Sequence, residues 1–429
     1  MRIRQGRAAE SAIAKVERRT ISPGEVESAV RQIIVGVRQG GDRRLIRYAT
    51  MWDGLQKEQP LRVPKEEIAA AWRATPPDIR RALRRAAENI RRFCRWQLPR
   101  EWRKAVSGGE LGQIVRPLAS VGCYVPGGRY PLPSTLLMTV IPAQIAGVPR
   151  ICVMTPRPHA VTLAAAALLD VHEVYRCGGA QAIAALAYGT QSIARVDKIV
   201  GPGNRFVTAA KKLVSFDCAI DMVAGPTEAV LYSDNGNPEF LASDMVAQAE
   251  HDPDALVIFV TTRLELAKAV KKSLLIAARG NEIAMTAIRN NGAILVAASR
   301  KEAMQWVNRI APEHVTVDDE TAAELIGNAG SVFIGSYSPQ SAGDYAAGPN
   351  HVLPTAGAAR FRGGLGVHDF VKLITMQRFD AEGLKRIAPT ITTLAEAEGL
   401  RAHAESVRMR VGQVGRDSSA PGKRGAAYA

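Results

Sequence analysis

The stretch 151–204, ICVMTPRPHAVTLAAAALLDVHEVYRCGGAQAIAALAYGTQSIARVDKIVGPGN, sets the architecture. Ile151–Met154 is a short apolar run of strand length, and the alanine-rich segment Val161–Leu169 has the composition of a helix. Glu173–Arg176 returns to strand character. Gly178-Gly179 then turns the chain into a helix from Ala180 to Tyr188. Lys198–Val200 and the turn Gly201-Pro202-Gly203-Asn204 lead to a further helix. The rhythm continues downstream. Ala229–Tyr232 precedes a helix with Asn237 as cap and Pro238 at its start, and Leu256–Val260 follows. Ile294–Ala297 precedes a helix capped by Ser299, with Glu302 three residues on. Strands alternating with helices predict parallel sheets joined by right-handed crossovers. An α/β protein with two doubly wound sheets is expected.

Working outward, Ser22-Pro23-Gly24-Glu25 predicts an early helix with a capping box and proline in its first turn. Thr75 to Trp96 reads as an amphipathic helix, with Thr75 and Asp78 as capping box and Ile79, Leu83, Ala86, Ile90 and Phe93 as apolar stripe. The tail after Arg410 is rich in Gly, Ser and Pro and predicts disorder.

With 429 residues, 47% hydrophobic and 23% charged, the chain suits a globular protein of more than one domain. No apolar run has the length of a membrane span, and Met1-Arg2-Ile3-Arg4-Gln5 lacks a following signal core. Cys94, Cys123, Cys152, Cys177 and Cys218 are scattered and odd in number, as expected for reduced thiols in a cytoplasmic protein. The formal charge of +15 owes much to Arg80, Arg81, Arg84, Arg85, Arg91, Arg92, Arg95, Arg100 and Arg103. Such a face can attract phosphates. A solvated helix surface explains it as well, so neither nucleic acid nor membrane is expected as a partner.

Gly201-Pro202-Gly203-Asn204-Arg205-Phe206 is a near miss to the dinucleotide fingerprint, since Phe206 stands where the third glycine belongs. Asp221, twenty residues beyond Gly201, has the spacing of a ribose-binding acid. Gly178-Gly179-Ala180-Gln181 and Tyr124-Val125-Pro126-Gly127-Gly128 are similar turns that could approach a phosphate or merely reverse the chain.

Polar islands carry the chemistry. Gln248 and His251, three apart at a helix end, can point at one spot and suit a borderline cation such as Zn²⁺. A histidine there can equally serve the helix dipole. Glu313-His314 joins an acid to an imidazole just before a strand, a pair able to divide acid and base work. Asp344 lies in Ser341–Tyr345 with His351 soon after, and Glu398–His403 closes the ordered segment.

Together these motifs, with Gly225-Pro226-Thr227-Glu228 and Asn350–Thr355, resemble the histidinol dehydrogenase family over about Ser22 to Arg410. The resemblance implies two Rossmann-like parallel-sheet domains on an aldehyde dehydrogenase-like scaffold, plus small helical N- and C-terminal segments. It implies an N-terminal arm 1–23, a larger domain of 24–122 and 226–365, and an NAD-contacting domain of 123–225. It implies further a C-terminal segment 366–410 that reaches the partner subunit, and a tail 411–429. By similarity, Gln248, His251, Asp344 and His403 would hold one Zn²⁺ per subunit, with His403 and Glu398 donated across a homodimer. Glu313 and His314 would be the acid–base pair. Thr227, Gln248, His251, His314, Asp344, His351, Glu398 and His403 would contact substrate, and Tyr124, Gln181 and Asn204 would contact NAD. The implied reaction oxidises L-histidinol through bound L-histidinaldehyde to L-histidine with two NAD⁺, ending histidine biosynthesis. The alternatives are an NAD-dependent dehydrogenase of another amino alcohol or diol, and an aldehyde dehydrogenase using Cys123 or Cys218. Thr227 replaces a common serine, and Gln340 stands where an acid is common.

Overall fold

A computed structural model describes residues 1–19, 24–127 and 130–417. Strand β1 (Ile3–Gln5) opens the chain. After helices that include Gly24–Tyr48, Lys65–Ala74 and Pro77–Gln97 come β2 (Trp102–Val106) and β3 (Gly109–Pro117). Next are β4 (Ser120–Tyr124), β5 (Arg150–Met154), β6 (Glu173–Tyr175), β7 (Lys198–Val200) and β8 (Ala219–Ile220). β9 (Glu228–Tyr232), β10 (Leu256–Thr261), β11 (Ala293–Val296), β12 (His314–Val317), β13 (Ser331–Ile334) and β14 (Val371–Phe379) complete the set.

Eleven of these strands form two parallel sheets, as the alternation predicted. The smaller has the order β6-β5-β4-β7-β8 and the larger β1-β11-β10-β9-β12-β13. In each the strand order switches sides, between β4 and β7 in one and between β9 and β12 in the other. At the carboxyl ends of the strands such a switch point opens a crevice where ligands bind. All five residues of β9 are buried, which is why central strands read as continuous apolar runs.

Two compact units emerge: Met1–Leu98 with Pro117–Phe370, and Pro99–Arg116 with the chain from Val371 onward. The first holds both parallel sheets. The second holds a small sheet of order β14-β3-β2 and the helices Ala381–Ala397 and Arg401–Asp417. This partition differs from the sequence expectation in two ways. Val26, Val30, Ile34, Val37, Leu45 and Leu61 share a core with Met154, Ile183 and Ile199 of the smaller sheet's layer, although 24–122 was assigned to the larger domain. The C-terminal segment is also not purely helical. β2 is exposed along its whole length and β14 along most of it, although β14 carries Val371, Leu373, Ile374, Met376 and Phe379.

Local signals met mixed fates. Asn237 accepts from Glu239 N at 2.8 Å and Ser299 from Glu302 N at 3.2 Å, both as expected of caps. Thr75 is a correction: its hydroxyl donates backward to Ala71 O at 2.7 Å, and Pro76 stands at the cap position of helix Pro77–Gln97. The buried stripe of that helix is Leu83, Ala87, Ile90 and Cys94, with Ile79 exposed, so the true register is one position off at its ends. The cap at Ser22-Pro23 lies outside the described residues. Of the expected tail 411–429, the first seven residues continue the helix Arg401–Asp417, and the rest lie outside the described residues. Among the described residues, no helix is long and apolar enough to cross a membrane.

Candidate active site

The carboxyl ends of β4 and β7 border a cavity of about 530 Å³ lined by Tyr124, Gln181 and Asn204, with Trp52, Asp53, Arg157 and Phe206. The three residues grouped as nucleotide contacts are therefore neighbours. Tyr124 ends β4, and its hydroxyl accepts from Gly179 N at 3.1 Å. Gln181 sits in the first turns of helix Gly179–Tyr188, and Asn204 caps helix Arg205–Val214 by accepting from Phe206 N at 3.0 Å and Val207 N at 3.2 Å. Gly201 has φ +115°, and a Cβ there would lie 2.1 Å from Tyr124 O, so only glycine fits this turn. Asp221 does not face a ribose. Its carboxylate is buried, pairs with Lys211, and accepts from Gly201 N at 2.7 Å and Met222 N at 2.6 Å. It pins the turn from behind. Asp53, by contrast, escaped the sequence reading, because nothing local marks a single acid at the end of the π-helical turn Ala49–Asp53.

A second cavity, about 390 Å³, opens at the starts of β9 and β12 and shares Pro126 and Asn204 with the first. It gathers Thr227, Gln248, His251, Glu313, His314, Asp344 and His351 from five separate segments. Thr227 precedes β9, Glu313 precedes β12 and His314 opens it, so parallel pairing of β9 with β12 sets the two strand entrances side by side. Thr227 Oγ1 donates to Glu313 Oε2 at 2.6 Å, and Glu228 N donates to the same oxygen at 3.0 Å. Burial pushes the Glu313 carboxyl above its ordinary range, against the pull of His314 and these donors.

His314 is the most informative group. It is 3% exposed, stacks on Phe333 with ring centroids 5.9 Å apart, and among the described residues neither ring nitrogen has a hydrogen-bond partner. Nδ1 lies 3.7 Å from Glu313 Oε2 and Nε2 lies 3.5 Å from Asp344 Oδ1. Burial disfavours its charged form, but the two carboxylates outweigh that and raise its pKa overall. Asp344 is held low despite burial, chiefly by His314. His351 is tied on both sides, Nδ1 to Asp344 O at 2.8 Å and Nε2 to Thr135 Oγ1 at 3.3 Å, and burial lowers its pKa.

The donor set suits a cation. Gln248 Nε2 donates to Asp344 Oδ2 at 3.2 Å, which turns Gln248 Oε1 toward Thr227 Oγ1 at 3.2 Å. Thr227 has one hydroxyl proton, and the shorter bond to Glu313 uses it. Gln248 Oε1 is left facing a second oxygen with no proton between them. His251 lies just past the end of helix Pro238–Ala249, with Nδ1 3.0 Å from Ala247 O, and lines the same cavity. Amide oxygen, carboxylate and imidazole are ligands that Zn²⁺ accepts. Among the described residues, no cluster of three or more His, Cys, Asp or Glu could hold a metal by itself. Glu398 and His403 are exposed residues of the second unit, Glu398 ending helix Ala381–Ala397 and His403 in helix Arg401–Asp417.

The thiols offer no competing nucleophile. All five are buried, and burial pushes Cys123 up to about 12 and Cys218 to about 11, far from a reactive thiolate.

The chain is similar to known proteins over most of its length. The family model described as histidinol dehydrogenase matches residues 16–411. The histidinol dehydrogenase of Methanothermobacter thermautotrophicus is 47% identical over 411 residues, covering 92% of this chain and 96% of that protein. That of Haloarcula marismortui is 47% identical over 397 residues, covering 90% and 93%. The crystal structure of histidinol dehydrogenase from Elizabethkingia anophelis superposes with a TM-score of 0.92 at 34% identity, covering 97% of this chain and 99% of that one. The chain belongs to the histidinol dehydrogenase family.

Proposed function

We propose that this chain oxidises L-histidinol to L-histidine with two NAD⁺ and one water, as a zinc-dependent cytoplasmic homodimer. The observation that supports this most is His314, a buried imidazole with two unpartnered nitrogens between two carboxylates, at the edge of a cavity adjoining a nucleotide-sized one. Buried polar atoms without partners are costly, about 1–3 kcal/mol each, so a substrate that engages them is the natural complement. When bound, Zn²⁺ would orient the substrate's amine and imidazole, and NAD⁺ would accept a hydride in each oxidation. Gln248, His251 and Asp344 would hold the ion, with His403 of a second copy as fourth ligand. Tyr124, Gln181 and Asn204 would hold the dinucleotide.

The remaining work falls to side chains. His314 takes the alcohol proton in the first oxidation. Glu313 takes a proton from water as it adds to the aldehyde, and protonated His314 returns its proton to the former carbonyl oxygen, giving the hydrate and freeing the imidazole. His314 then accepts a hydrate proton in the second oxidation. Thr227 fixes Glu313 by its 2.6 Å bond, and Glu398 and His351 complete the substrate's surroundings. An assay of NADH formed per histidinol consumed, run with zinc analysis and a panel of amino alcohols and diols, tests the reading. Two NADH per histidinol and stoichiometric zinc are expected. A better turnover of another alcohol would replace histidinol as substrate.

A further inference from the structure

Asp53 is an acid with no part in the chemistry above, yet it lines the nucleotide cavity and is 8% exposed. Its Oδ2 accepts from Gly178 N at 2.9 Å and from Gln181 Nε2 at 3.0 Å. The same turn donates from Gly179 N to Tyr124 OH, so one carboxylate braces two of the three nucleotide contacts. A π-helical turn, Ala49–Asp53, delivers it, with Trp52 stacked on Tyr48 at 4.7 Å and also lining the cavity.

The orientation of Gln181 follows. Its amide nitrogen must face the carboxylate, because the reverse orientation sets a carbonyl oxygen against an anion. Gln181 Oε1 is thereby committed as an acceptor. It lies only 2.7 Å from where a Cβ on Gly179 would sit, so glycine keeps the space beside it free, and Gln181 lines the cavity although it is 2% exposed.

We propose that Asp53 is a positioning residue that selects NAD over NADP. By holding Gln181 it fixes an acceptor oxygen that takes a ribose hydroxyl proton and disfavours a 2′-phosphate, which at neutral pH is an anion without a dependable proton to give. Burial raises the pKa of Asp53, but the two donors on Oδ2 and nearby Arg157 pull the other way. Arg157 lines the cavity as well.

This inference rests on the dinucleotide reading, so binding is measured apart from turnover. Calorimetric titration of NAD and NADP into the full-length chain should show a preference for NAD, and no preference overturns the proposal. Asp53→Asn frees the Gln181 amide to turn over. It should raise the KM for NAD about tenfold and shrink the NAD:NADP ratio of kcat/KM about tenfold, the loss of one hydrogen bond. The loss should fall on KM for the dinucleotide, with KM for histidinol unmoved. Gln181→Met, which removes the acceptor with Asp53 intact, should shrink the ratio equally, and the double variant no further. If the unsubstituted chain oxidises histidinol with NAD while both variants keep its ratio, the positioning role is refuted and the functional reading stands.

Discussion

Glu313→Gln separates the two oxidations. Glutamine matches glutamate in shape, and its carbonyl oxygen can still accept from Thr227 Oγ1 and Glu228 N, the two donors that now converge on Oε2. The fold and the cavity should therefore survive. What would disappear is the proposed base for water. A positioned general base contributes about 10²–10⁴-fold, so hydration of the aldehyde and the second oxidation should slow by that order. The first oxidation needs only His314 as base and should stay within about tenfold of the unsubstituted rate, a difference of about 1.4 kcal/mol. Histidinol and synthetic histidinaldehyde are supplied separately, NADH is followed by absorbance, and trapped aldehyde is quantified. The expected result is close to one NADH per histidinol on the timescale of a few turnovers, with aldehyde accumulating. Equal losses in both steps would mean that Glu313 acts through His314 or through the shape of the site, and the division of labour would fall.

Other predictions test the site from different sides. His403→Asn should lower zinc retained per chain after gel filtration by tenfold or more, the scale on which metal-site changes act; full occupancy with normal turnover would remove His403 from the metal. Lys211→Met strands the buried Asp221 carboxylate and should cost about 3–5 kcal/mol in urea unfolding, with a loss under 1 kcal/mol disproving the pairing argument. Thr227→Val keeps the side-chain outline but removes the hydroxyl that donates to Glu313, and should reduce aldehyde oxidation about tenfold in the same two-substrate assay. An unchanged rate there would show that Glu313 is positioned by Glu228 N alone.

The alternating apolar runs, the glycine turns and the caps at Asn237 and Ser299 are local facts, governed by backbone sterics and short-range hydrogen bonds, and they were legible residue by residue. The turns that carry Tyr124, Gln181 and Asn204 were legible as well, each at the carboxyl end of a strand or the start of the next helix, but the grouping of those three residues came from the family resemblance. Asp221 shows the limit of spacing: the right distance from Gly201 gave a buried partner for Lys211, since only packing decides which way a carboxylate faces. Asp53 reaches the Gly178 turn across 125 residues, and β14 joins the sheet of β3 and β2 from far along the chain. Only the tertiary structure settled those features. His314 combines both lessons: the sequence placed an acid beside it, but its stranded nitrogens between two carboxylates exist only because parallel strand pairing and burial bring distant segments together and keep water out.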